Sequence, residues 1–254
     1  MAGFLRTSAI IAICATSLTA CGGSATPLGG SSGQSSGFPE VATKNTTRIA
    51  GSDLANRAAA VSAAVWPGAG QHPRSVVLLS GDWKSALAAA PLAAPPFSAA
   101  FLMADGDVPD STSAALDRLD PTGVASARNV KRIRIGDAED PGDSSPIDGS
   151  GPAGIADAID QSRVNAGAKL SSSVVVVGSD DPAWAVPAAA WAARSGDPVL
   201  FAERDSLPPE TVNAIQRRGK PLIMLLAPEQ SVSPAVEAKL SSLGAVTRIT
   251  GATP

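Results

Sequence analysis

Short apolar runs separated by helix-length segments recur along the chain from about residue 47 onward. Val76-Val-Leu-Leu79 and Val174-Val-Val-Val177 are β-branched or leucine runs without polar interruption. Such runs suit strands buried on both faces of a parallel sheet. Before the first run, Asp53 is placed to cap a helix with Leu54, Ala58, Val61 and Val65 on one face, stopping near Pro67. After it, the pattern predicts an Ala-rich helix from Trp83 to Ala94, a strand over 99–103, a helix over 109–119 and a strand over 131–135. Further on it predicts a helix from Ile155 to Val164, a strand at Leu222-Ile-Met-Leu-Leu226 and a helix from Pro234. The last carries Val236, Leu240 and Leu243 on one face and stops at Gly244. Strands alternating with helices imply a mainly parallel sheet covered on both sides.

The pattern is also duplicated. Ala86-Leu-Ala-Ala-Ala-Pro-Leu-Ala-Ala94 is matched 99 residues later by Ala185-Val-Pro-Ala-Ala-Ala-Trp-Ala-Ala193. Val108-Pro-Asp-Ser-Thr-Ser-Ala-Ala-Leu-Asp-Arg118 is matched at the same offset by Leu207-Pro-Pro-Glu-Thr-Val-Asn-Ala-Ile-Gln-Arg217. Prolines there suit a first helical turn, with Asp107 and Ser206 as the expected N-caps. Thr47-Arg-Ile-Ala-Gly51 recurs as Thr247-Arg-Ile-Thr-Gly251, with a weaker echo at Lys131-Arg-Ile-Arg-Ile-Gly136. Self-similarity at a fixed period marks repeated structural units. The first unit reads as shortened, because nothing between Pro121 and Lys131 resembles the 222–243 strand and helix.

The first twenty residues follow another logic. Arg6 precedes the apolar run Ser8–Ala15, which is too short to span a bilayer, and small residues follow. Leu18-Thr-Ala-Cys21 resembles the bacterial lipobox, which implies cleavage before Cys21 and lipid attachment to its thiol. Residues 22–45 are dominated by Gly, Ser, Thr and Pro, which reads as a flexible tether. Removing residues 1–20 of 254 leaves 234 and takes the net charge from −3 to −4, through loss of Arg6. That balance offers nucleic acid no general attraction. Cys21 is then the one remaining cysteine, so no internal disulfide forms.

The order of these segments resembles the cell-wall-binding repeat type 2 family of bacterial surface proteins. The residues that carry it are Arg48-Ile-Ala-Gly-Ser-Asp53, then Ser80-Gly-Asp-Trp-Lys-Ser-Ala-Leu-Ala-Ala-Ala-Pro-Leu-Ala93, then the 108–118 helix and their second occurrence. The resemblance spans about residues 46–251. It implies an α/β fold of two tandem Rossmann-like modules with mainly parallel sheets, attached non-covalently to cell-wall glycopolymer and without catalysis. On this reading 1–20 is a lipoprotein signal, 21–45 the tether, 46–134 a shortened first module and 135–254 the second, with the start of a third at Arg248. The second module opens at Arg134-Ile-Gly-Asp137, which leads into a loop rather than straight into a helix. The chain is then either a truncated three-module protein or a two-module form that completes itself by self-association. The location implied is the outer face of a cell membrane, with the lipid as anchor.

Candidate chemistry is sparse. Arg48, Asp53 and Arg57 lie around the turn into the first helix. They could meet phosphate, carboxylate or sugar hydroxyls, or pair internally to cap the helix. Arg132, Arg134 and Arg248 carry the same two readings at the other junctions. Gly149-Ser-Gly-Pro-Ala-Gly154 matches G-x-G-x-x-G, but a dinucleotide site needs a strand ending just before it, and 137–148 reads as loop. Asp180 and Asp181 read as solvated caps, His72 has no nucleophile motif near it, and a single His and Cys in the mature chain make no metal site. Trp191, replacing Leu92, reads as core, with Trp83 and Trp184 open. No cofactor is expected. The competing function is a solute-binding lipoprotein of a transport system, whose two lobes close on a small ligand.

Overall fold

The computed structural model describes residues 40–42, 47–68 and 70–251. The expected signal segment, Cys21 and the expected tether up to residue 39 lie outside the described residues. A two-stranded antiparallel ribbon opens the described chain, β1 (Glu40–Ala42) with β2 (Thr47–Ile49), so strand pairing begins within the stretch read as tether. Helix α1 (Leu54–Val65) follows, then β3 (Ser75–Leu79), α2 (Trp83–Ala89) with a 3-10 turn at Ala90–Ala93, and β4 (Ala99–Met103). Helix α3 (Asp110–Leu119), β5 (Arg132–Ile135) and β6 (Ser145–Ile147) complete the first set. The second set is α4 (Gly151–Asn165), β7 (Ser173–Gly178), α5 (Pro182–Ser195), β8 (Val199–Ala202), α6 (Pro209–Gln216), β9 (Leu222–Leu226), α7 (Pro234–Leu243) and β10 (Ala245–Ile249).

The strands form two four-stranded, all-parallel sheets, ordered β4-β3-β5-β6 and β8-β7-β9-β10. The fold is therefore α/β. Alternation along β3 explains how the layers divide. Val76 and Leu78 face Ala59 of α1 and Ala115, Leu116 and Leu119 of α3. Val77 and Leu79 face the other way, into a larger core shared with α2 and the second sheet. Both sheets belong to one unit, Ser36–Pro254.

The two sheets correspond strand for strand, and several expectations change as a result. The strand expected over 131–135 is the first unit's third strand: β5 pairs with β3 as β9 pairs with β7. What it lacks is a helix between its third and fourth strands, where residues 136–144 run without one. A segment placed like Thr47-Arg-Ile-Ala-Gly51 recurs at Ser145-Pro-Ile-Asp-Gly149, 98 residues on and leading directly into α4. A close chain crossing recurs with it. A Cβ on Gly51 would lie 2.6 Å from the Arg57 backbone nitrogen, and one on Gly149 would lie 2.3 Å from that of Ile155. Arg57 and Ile155 are again 98 apart.

Three local expectations fail for identifiable reasons. Helix α1 buries Ala59, Ala60 and Ser62, and leaves Leu54, Val61 and Val65 exposed. It lies against β4, where small side chains permit close approach and the Ser62 hydroxyl donates to the Phe101 carbonyl at 3.0 Å. Asp107 and Ser206 do not cap α3 and α6, since Pro109 and Pro208 hold the cap positions without side-chain bonds. Instead the Thr112 hydroxyl donates to the Met103 carbonyl at 2.6 Å, and the Thr211 hydroxyl to the Phe201 carbonyl at 2.7 Å. These are equivalent bonds, because Met103 pairs with Leu79 as Phe201 pairs with Val177. Finally, the Trp83–Ala94 helix tightens into its 3-10 turn around Pro91, whereas α5 continues through Pro187.

Candidate functional site

The repetition extends to two clefts beyond the C-terminal ends of the strands. In the first module, the loop from Met103 to α3 and the first turn of α1 enclose about 480 Å³. Its carboxylates are Asp53, Asp105, Asp107 and Asp110, and no Lys or Arg lines it. In the second, the loop from Phe201 to α6 and the start of α4 line a cleft of about 720 Å³, joined by Ser179, Asp180 and Lys84 of α2. There the acids are Asp180, Glu203, Asp205 and Glu210, and the bases are Lys84 and Arg204. Carboxylates in such clefts can accept hydrogen bonds from hydroxyl-rich ligands.

Of the residues singled out in the sequence, Asp53 lines the first cleft. It is the N-cap of α1 and accepts from the Asn56 backbone N–H at 2.8 Å and from the Ser52 hydroxyl at 2.8 Å. The Asn56 N–H, then Ser52 and the Asn56 amide, hold its carboxyl below the usual carboxylate range. Arg57 is exposed on the same turn, its Nε donating to the Asp53 carbonyl at 3.2 Å, and Arg48 is exposed on β2. Arg134 lies on β5 and donates to the Gly136 carbonyl at 3.4 Å. Arg248, on the edge strand β10, donates to Glu237 at 2.9 Å and to the carbonyls of Ala227 at 2.7 Å and Val232 at 3.0 Å. Asp53 and Arg57 thus share the start of α1, Arg48 lies on β2 before it, and Arg134 and Arg248 lie on separate strands. Nothing in the local sequence marks the acids at 105, 107, 110, 203, 205 and 210 as binding residues. Their recurrence just before and within the Pro-led helices is the signal that points to them.

Other candidates resolve into structure. A strand, β6, does end shortly before Gly149-Ser-Gly-Pro-Ala-Gly154, contrary to the expected loop. Yet Gly149 makes the same crossing as Gly51, whose surroundings lack the motif, so chain packing suffices to explain that glycine. In open parallel sheets ligands favour the crevice where strand order reverses, here between β7 and β9. That crevice is filled: Ser231 packs on Gly178, and its hydroxyl donates to Asp181 at 3.2 Å. Asp180 is exposed, 3.9 Å from the Lys84 ammonium. Nδ1 of His72 lies 2.9 Å from the Leu119 carbonyl. Trp83 packs edge-on against Phe201, with ring centroids 6.5 Å apart, joining the two modules. Trp191 is not core: it is exposed and its indole N–H donates to Asp197 at 2.8 Å. Among the described residues there is no acid, His or Cys cluster able to hold a metal, and no helix long and apolar enough to cross a membrane.

No protein-family model matches the chain, and no curated protein sequence does. Solved structures do match. Cwp6 from Clostridium difficile aligns with a TM-score of 0.67 at 20% identity, over 84% of this chain and 36% of that one. Cwp8 from the same organism aligns with a TM-score of 0.64 at 20% identity, over 79% and 35%. The likeness is one of fold. The chain spans about a third of the length of each of these proteins.

Proposed function

We propose that this protein is a non-catalytic cell-surface component that holds cell-wall glycopolymer non-covalently, fastened to the membrane through a lipid on Cys21. The observation that carries the reading is the repetition of one open, carboxylate-lined cleft at the same place in two modules. A repeating polymer can engage two such sites together, and the second contact then forms at high effective concentration. The sequence resemblance to wall-binding repeats and the fold likeness to the C. difficile Cwp proteins support the same role.

In the first module the contact is assigned to Asp53, which lines the cleft, together with the exposed Arg57 on the same helical turn and Arg48 on β2, which lie outside the cleft lining. Asp53 accepts from sugar hydroxyls, and the two guanidiniums fork onto acidic substituents. Arg134 and Arg248, on separate strands, are engaged with the backbone carbonyls described above.

Titration of the protein with soluble glycopolymer released from the producer's own wall tests this reading. Saturable binding is expected, weakened about tenfold in a variant carrying Asp53→Asn and Arg57→Ser, since loss of one or two polar contacts costs about 1.4 kcal/mol. Asn keeps the helix cap, so folding is preserved. Tight binding of a free small solute with no affinity for polymer would replace this reading with that of a transport receptor.

A further inference from the structure

The chain's four tryptophans divide into two pairs. Trp66 and Trp83 are half-buried and pack against the two hydrophobic cores. Trp184 and Trp191, both on α5, belong to neither core. Helix α5 packs inward through Ala185, Ala188 and Ala192 instead. Large indoles at the surface of a helix that packs through alanine contribute little to the fold, so their place calls for another reason.

Seven residues apart on a helix, the two indoles leave the axis within about 20° of each other and about 10.5 Å apart along it. Pro187 and Arg194 are exposed and leave within about 60° of Trp191. One side of α5 thus carries two indoles, a proline ring and a guanidinium. The helix contains no acid, and Arg194 is its one charge. Trp191 is also held in place. Its indole N–H donates to Asp197 at 2.8 Å, and Asp197 accepts from the Ser171 hydroxyl as well. With the residue 39% exposed, a ring pinned at its edge can receive a ligand at little further cost in side-chain ordering. The strip adjoins the second cleft, since Ser179 and Asp180 line that cleft and α5 begins at Pro182.

We propose that the Trp184–Trp191 side of α5 is a stacking platform for sugar rings of the glycopolymer, with Arg194 engaging an acidic substituent. The C–H groups on one face of a pyranose ring are apolar and weakly positive, and the electron-rich face of an indole attracts them. The guanidinium forks onto carboxylate or phosphate. The spacing of the two indoles lets successive rings of one polymer chain meet both. The inference rests on the polymer-binding reading and adds to it a site outside both clefts.

Titration of the full chain with glycopolymer released by acid from the producer's wall tests the platform. Affinity falls about five- to tenfold in Trp184→Leu, which keeps an apolar side chain but no aromatic face. It stays within about threefold of wild type in Trp184→Phe, which keeps the face. Arg194→Gln loses about threefold at low salt, and this loss disappears near 1 M salt, where screening acts beyond about 3 Å. Bound polymer shields indole fluorescence from acrylamide in the wild type, and less so in Trp184→Leu. Should Trp184→Leu fail to fold by circular dichroism, Arg194→Glu replaces it, a reversal at an exposed position expected to weaken binding about tenfold. Wild-type binding that Trp184→Leu leaves unchanged overturns the platform alone, whereas absence of wild-type binding overturns the polymer reading with it. Equal losses in Trp184→Leu and Trp184→Phe indicate a structural role and overturn the platform. So does a change in solution mass at unchanged polymer affinity, which assigns this side of α5 to another copy of the chain.

Discussion

The two module openings perform the same turn with different chemistry. At the first, Asp53 bonds the N-terminal turn of α1 locally, through Asn56 and Ser52. At the second, Ser150 makes no side-chain cap bond, although α4 is longer. Helix α4 is held from the side instead. Asp160 accepts from Arg218 and from Arg217, the latter at 3.0 Å, and Asp157 also accepts from Arg217, tying α4 to α6. Arg163 ties it to the first module. At the position of Asp160, α1 has Ser62. A helix that packs on both sides can do without a cap, because tertiary contacts supply most helical stability. A helix with an exposed flank depends more on its own end.

The largest effect that sharpens this contrast is expected from Asp160→Ala. It leaves the buried guanidinium of Arg218 unpaired, and removing one partner of a buried pair costs about 3–5 kcal/mol. Ser62→Ala at the equivalent site loses one hydroxyl bond, about 1 kcal/mol. Chemical denaturation of both variants measures the difference, and equal losses would break the comparison. Next in size is Gly149→Ala, whose Cβ would meet the backbone of Gly154 and Ile155 at 2.3 Å. Neither backbone can yield cheaply, so a loss of about 2 kcal/mol is expected, with Gly51→Ala somewhat less.

The smallest effect concerns the cap. The folded pKa of Asp53 lies below the reference 3.8, so its contribution is present above that value and is lost as pH falls through the folded pKa. Asp53→Asn therefore lowers Tm slightly at neutral pH, and the difference from wild type closes as pH drops below about 4. A gap that widened in acid would contradict the assigned sign.

The strands most visible in the sequence were those buried on both faces, Val76–Leu79 and Val174–Val177, because continuous β-branched runs serve little else. Strand β6 was hidden by Pro146, which argues against a strand interior and is tolerated here because β6 is an edge. An apolar count picks the wrong face of α1 because valine and leucine outrank alanine in it. Close packing on β4 selected the small residues instead. Asp53 was legible as a carboxylate just before a helix. Asp105, Asp107 and Asp110 were not legible as lining for the same cleft, since only folding brings the β4–α3 loop beside the start of α1.

Wall retention of the full chain tests the central claim most directly. Purified walls should sediment the protein, and acid extraction of their glycopolymer should release it without any change in the remaining peptidoglycan. Equal sedimentation with extracted and intact walls would contradict the account.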